Sequence, residues 1–423
     1  MQEIALTSER IDEKTLEKEL HNWLGSITAP LRKVLLLPPD ITRFHSKAGL
    51  IVQLLYKALA PQAEVEIMPA LGTHMPMSTE ERVLMFGTEI PAECFRVHDW
   101  RNDVIRIGEV PAAYVAEVSE GLVTYPIGVD VNRRLLDPVY DLIVSIGQVV
   151  PHEVVGMANY SKNIFVGCGG RDLINKTHIL GASYGTEKIM GQAETPVRRI
   201  FDYAEKHFLA KVPLQYILTV TTTNGTITKL NGLFVGRNRD LFNAAARESQ
   251  HRNLNLLTKP LKKVVVYLEP GEFKTTWLGN KAIYRTRMAI ADGGELIILA
   301  PGLRKFGEDP QIDTLIRKYG YVGSKRVLAL IAEHEELKDN LSAAAHLIFS
   351  SSEERFRIIY APGHLSQKEI EQVNFSYLPL TEAQVKYDPA KLKDGFNTLA
   401  DGEEIFYISN PALGLWALKE KFQ

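Results

Sequence analysis

Short apolar runs, each stopped by proline or glycine and followed by a polar loop, recur through the first 150 residues and most constrain the fold. Residues 33–37 (KVLLL) end at Pro38-Pro39, residues 65–68 end at Pro69, and residues 141–146 end at Gly147. Apolar runs of this length between backbone breakers read as buried strands. Residues 47–60 carry helical periodicity instead, so the unit is strand, polar loop, helix. In open α/β sheets such loops gather at the carboxyl ends of the strands, where ligands bind. Beyond about residue 255 the alternation resumes. Residues 261–268 are strand-like, 284–291 helical, Gly293-Gly294 a turn, and 295–300 a buried strand, with further alternation through 356–360 and 404–409. The expectation is an α/β protein of two α/β domains with the active site in the cleft between them. Residues 1–255 are the N-terminal cofactor-binding and catalytic domain, 256–423 the C-terminal α/β domain, and the linker lies near 253–259.

Bulk properties exclude several classes. A chain of 423 residues, 45% hydrophobic and 24% charged, has the balance of a soluble globular protein. Its formal charge of −2, with no long basic block, argues against nucleic acid as a partner. No apolar stretch is long enough to span a membrane, and the charged first 19 residues lack the apolar core of a secretion signal. Cys94 and Cys168 are the only cysteines, which leaves no disulfide framework and fits a reducing cytoplasmic setting.

Five polar clusters carry the chemistry: Asp40-Ile41-Thr42-Arg43, Gly72-Thr73-His74, Pro151-His152, Ser161-Lys162 and Thr177-His178. Singly, each has an ordinary structural reading: Asp-x-Thr is a turn or cap, a lone lysine is a surface charge, and an isolated histidine is more often structural than a ligand. Their order and spacing say more. His74 follows Arg43 by about thirty residues, Lys162 follows His152 by ten, and His178 follows Lys162 by sixteen. In this the chain resembles the lactate racemase family, the likeness spanning roughly residues 30–305 and strongest over 38–180.

The resemblance implies an isomerase, a racemase or epimerase that inverts the C2 hydroxyl carbon of a 2-hydroxy acid by reversible hydride transfer. Pulling off the α-proton beside a carboxylate is difficult, and no amino acid accepts a hydride, so a cofactor must. The family's cofactor is a nickel-pincer nucleotide, whose nickel is held through S, C and S and whose ring is tethered by a thioamide to a lysine. Lys162 matches the tether and His178 the fourth nickel ligand, an imidazole suiting a square-planar site. His74 and His152 match the two acid/base groups, one for each enantiomer. Arg43 matches the arginine near cofactor and substrate carboxylate. Asp40, Thr42 and Tyr284 match cofactor-holding positions. The implied partners are a small 2-hydroxy acid and the cofactor-biosynthesis enzymes.

Two places depart from the family pattern. The Ser-Gly-Gly before the tether lysine reads Asn159-Tyr160-Ser161, which removes backbone freedom. The Tyr-Gln-x-x-Lys motif reads Tyr284-Arg285-Thr286-Arg287-Met288, so Arg285 becomes the substrate-binding candidate and a sugar acid such as gluconate stands beside lactate as substrate. Residues 285 and 288 lie three apart on the same expected helix, so both project from roughly one face. Two alternatives remain open here: a zinc-dependent hydrolase using His74, His152 and His178, and a relative that binds the nucleotide without turnover.

Overall fold

The computed structural model describes residues 1–224 and 227–422. The first apolar run forms the strand Lys33–Leu37, with Val34, Leu35, Leu36 and Leu37 completely buried. It pairs in parallel with Glu64–Ile67 on one side and Leu142–Gln148 on the other. Leu142–Gln148 pairs in parallel with Leu214–Asn224, and the sheet is completed by the antiparallel strands Ile227–Gly236 and Ile4–Ile11. Helix Ala48–Leu59 buries Ile51, Val52, Leu55 and Leu59 against this sheet, in one core with Trp23 and Leu20 of the helix Glu13–Gly25. The three strands expected before the polar loops are therefore neighbours, running the same way. Their carboxyl ends release the loops that hold Arg43, His74 and His152.

The chain divides into two compact units, the first being Met1–Leu180 with Gly191–Asn253 and the second Gly181–Met190 with Leu254–Gln423. The second unit has its own six-stranded sheet, in the order Ser376–Tyr377, Arg357–Pro362, Ile290–Ala300, Leu261–Tyr267, Glu404–Ile408 and Gly395–Thr398. All its neighbours are parallel except the last pair. Both units are α/β.

One expected element is replaced. The helix that the spacing of residues 284–291 predicts does not form: Lys281–Tyr284 is a single turn, and Met288 bridges to Ala417. Residues 281–290 are buried without exception, so the spacing of their apolar side chains marks no solvent-opposed face. The strand Ile290–Ala300 then runs through Gly293-Gly294, where the sequence predicts a turn. A bulge between Ile290 and Glu295 absorbs the glycines, with Gly293 at φ +75°.

Candidate active site

Asp40 opens the site. It caps the helical turn Ile41–Ser46, accepting from the Thr42 amide at 3.1 Å and the Thr42 hydroxyl at 2.5 Å through one oxygen. The other oxygen accepts from His74 Nδ1–H at 2.5 Å. Burial alone would raise the Asp40 carboxyl. The His74 ring, then the Arg43 guanidinium and the Thr42 hydroxyl, reverse this and hold it well below the usual carboxylate range. In its neutral form, with the Nδ1 proton on Asp40, the His74 ring has its lone pair on Nε2. Arg43 sits at a kink in the turn (φ −118°, ψ 33°), with its Nη1 3.1 Å from the Thr42 hydroxyl.

The His74 loop is clamped from the opposite side. Gly72 takes φ +57° and donates its amide to the Gly167 carbonyl at 2.8 Å, and a Cβ there would meet the Val166 carbonyl oxygen at 3.3 Å. That ties Gly72-Thr73-His74 to the π-helical turn Asn163–Gly167, which begins directly after Lys162. Wide turns of this kind are frequent at functional sites. Asn163 fastens the turn to the sheet by donating to the Leu37 carbonyl at 3.0 Å and to Ser145 Oγ at 2.9 Å.

His152 lies in a two-residue strand, Pro151–His152, paired with Gly156–Met157. Its Nδ1 accepts the Val154 amide at 3.1 Å, and the Glu153 carboxylate stands 3.6 Å from the same nitrogen. The chain then reaches Lys162 through Asn159 and Tyr160, both left-handed (φ +64° and +56°), a conformation ordinarily left to glycine. Tertiary contacts impose it. The Tyr160 ring packs against Tyr216 and Phe242, its hydroxyl donates to the Arg237 carbonyl at 2.8 Å, and its amide donates to Asn159 Oδ1 at 2.7 Å. Fully buried Arg198 donates to the Met157 and Asn159 carbonyls and to Ser161 Oγ at 2.6 to 3.2 Å. The turn that two glycines would make freely is thus made by side chains.

Lys162 is half-buried at the centre of these loops. Burial, and next the Arg43 guanidinium, press its ammonium down to about 8, against the opposing pull of Glu153 and Asp40. His178, in helix Arg171–Tyr184, donates from Nδ1 to the Ile174 carbonyl at 2.6 Å, which leaves the Nε2 lone pair free to bind a metal. Burial holds this ring neutral, its pKa down at about 4, with Lys162 acting in the same direction. Glu153 is the group that sequence reasoning passes over. It bears electrostatically on both Lys162 and His178, and its only signal in the sequence is an acidic residue next to His152.

Residues 5–189, which include all of these side chains except Arg198 and the Tyr160 partners Tyr216, Arg237 and Phe242, match the family model of the lactate racemase N-terminal domain. This segment is similar to the lactate racemase N-terminal domain. The fold of the whole chain is similar to that of a Thermotoga maritima protein known from a crystal structure, with a TM-score of 0.84 and 24% identity over 98% of this chain and 100% of that one. It is also similar to the lactate racemase apoprotein from Thermoanaerobacterium thermosaccharolyticum, with a TM-score of 0.69 and 17% identity over 98% of this chain and 95% of that one. No curated protein matches the sequence. At such identities the two structures establish the shared fold, and the domain match supports a racemase or epimerase type of role.

The first unit brings together Asp40, Thr42, Arg43, His74, His152, Lys162 and His178. Tyr284 and Arg285 belong to the second unit. There Arg285 follows the turn Lys281–Tyr284, donates from Nη1 to the Gly414 carbonyl at 3.0 Å and accepts the Trp416 amide on its own carbonyl. Because that helix ends at Tyr284, Arg285 and Met288 do not share a helix face. Arg287 is committed to structure: it pairs with Glu187 at 3.2 Å and donates to the Ser351 carbonyl at 3.1 Å. His45 and His98 are structural too, bonded to Thr228 and to Gly169 with Asn132. The Gly167-Cys168-Gly169-Gly170 segment is a packed turn, since a Cβ on Gly169 would lie 1.8 Å from the Phe165 carbonyl oxygen. Among the described residues no three His, Cys, Asp or Glu side chains converge to hold a metal.

Proposed function

We propose that the chain is a 2-hydroxy-acid racemase or epimerase that works with a nickel-pincer nucleotide tethered at Lys162. The observation that carries this reading is the setting of Lys162: an amine pressed down to about 8, with Arg43, Asp40, Glu153 and His178 as its electrostatic neighbours. Such an amine has a substantial neutral fraction at physiological pH and is a competent nucleophile for acylation. The donor set also fits the group. A pincer brings its own S, C and S donors and asks the protein for a single further ligand, which His178 offers through Nε2. The cofactor would supply a hydride acceptor at C2 of the substrate.

The protein's own part is proton handling and orientation. His74, oriented by Asp40 through Nδ1, is set to take the substrate's hydroxyl proton at Nε2. His152 serves the opposite face of the planar 2-keto acid. Arg43 grips the carboxylate, for which a planar guanidinium offers two parallel donors. The Asn159–Tyr160 turn keeps a glycine-like backbone and so supports a loop able to present Lys162. Lactate and a longer acid such as gluconate are the candidate substrates. Cofactor-biosynthesis enzymes are the expected partners, and the free thiols Cys94 and Cys168 fit a reducing cytoplasm. Among the described residues no helix is long and apolar enough to cross a membrane.

The test is turnover of lactate and gluconate deuterated at C2, using protein produced together with the cofactor-biosynthesis enzymes. Inversion with most of the label kept in ordinary water is the expected result. Rapid loss of label to solvent would replace hydride transfer with proton abstraction.

A further inference from the structure

The two acid/base histidines are held differently, and the difference gives Glu153 a role. His74 has its Nδ1 proton on Asp40, so Nε2 can accept and later return a proton while Nδ1 stays protonated. His152 has its Nδ1 lone pair taken by the Val154 amide, which places the ring proton of the neutral form on Nε2. A ring in that tautomer can neither accept a proton at Nε2 nor give one up without becoming an imidazolate. To work at Nε2, His152 must carry a proton on Nδ1 as well. The group that faces Nδ1 and can stabilise that proton is the Glu153 carboxylate, 3.6 Å away.

We propose that Glu153 is a positioning residue that holds the Nδ1 proton of His152, as Asp40 holds that of His74, giving each face of the site its own carboxylate–histidine pair. This rests on the racemase reading above. The Val154 amide favours the neutral ring, Glu153 favours the doubly protonated one, and the balance decides whether Nε2 can cycle. Besides His152, Glu153 acts electrostatically on Lys162 and His178, and Lys162 is also acted on by Arg43, Asp40 and Arg198. Lys162 competes with His152 for the Glu153 charge only while it is an ammonium. Acylating its nitrogen removes that competitor, so loading the cofactor would strengthen the hold of Glu153 on the His152 proton.

The experiment is ¹⁵N NMR of the imidazoles in the full-length cofactor-free protein, comparing wild type with Glu153→Gln and Lys162→Met across pH 5 to 9. Glu153→Gln should lower the pH at which His152 gains its second proton by about one unit or more, since an opposite charge within 4 to 6 Å moves a titration by about one to three. Its neutral ring should be the Nε2–H tautomer. Lys162→Met, which removes the competing charge, should move the same transition upward. An unchanged His152 titration in both folded variants overturns the proposal and leaves the racemase reading standing. The expected shifts, with a cofactor-loaded wild type that inverts no 2-hydroxy acid, support the pairing and sink the racemase reading instead. In an active enzyme Glu153→Gln should also move the acid limb of the pH–rate profile, which a purely structural loss would not do.

Discussion

Replacing Lys162 with methionine should make the cofactor-free protein more stable. An ammonium whose pKa falls from 10.5 to about 8 on folding is being held where it is disfavoured. At about 1.4 kcal/mol for each pH unit, the cost of keeping it charged reaches about 3 to 4 kcal/mol. Lys162 is only half-buried, so solvent screening reduces the expected gain to about 1 to 3 kcal/mol. The sign follows from the proton count. Below pH 8 both folded and unfolded chains hold the proton, and the folded state bears the whole cost. Between 8 and 10.5 the folded amine is already neutral while the unfolded one is not, so wild-type stability rises with pH relative to the variant. Above 10.5 the electrostatic difference is gone. Urea unfolding of both proteins at pH 7, 9 and 10.5 measures this, with the variant's advantage largest at pH 7 and shrinking as pH rises. A variant less stable than wild type at pH 7, or a difference independent of pH, would refute the idea that the site is strained around a charge it is built to lose.

Asp40→Asn removes the anion that holds the Nδ1 proton of His74 and should lower turnover of the loaded enzyme by about 10² to 10⁴ with the circular dichroism spectrum unchanged. Loss of less than tenfold would remove Asp40 from the acid/base machinery. At Tyr160, Tyr160→Phe should cost about 1 kcal/mol in urea unfolding for the lost bond to the Arg237 carbonyl. Tyr160→Gly should cost more, about 2 kcal/mol, because losing the ring packed on Tyr216 and Phe242 outweighs relief of the left-handed backbone. A stabilised glycine variant would mean that backbone strain dominates the turn.

The layering of the first unit and the three loops at its strand ends were legible because buried parallel strands are apolar on both faces and end abruptly at proline or glycine. Residues 284–291 misled for the converse reason. A segment buried on every side keeps no periodicity that distinguishes a helix from a turn leading into a strand. Asp40 was legible as a cap, and it is one, but its second oxygen belongs to His74, a contact between residues 34 apart that no local pattern records. Asn159-Tyr160 reads as a loss of glycine freedom, yet Arg198, Phe242 and the Arg237 carbonyl, remote in sequence, force the same backbone. Glu153 belongs to no motif, and only its place facing His152, Lys162 and His178 singles it out.

The most direct test of the central claim is the intact mass and nickel content of the chain produced together with the cofactor-biosynthesis enzymes. The account predicts a nucleotide-sized adduct that maps to Lys162, about one nickel per chain, and loss of the adduct in Lys162→Ala. An active, nickel-containing preparation in which Lys162 is unmodified would contradict it.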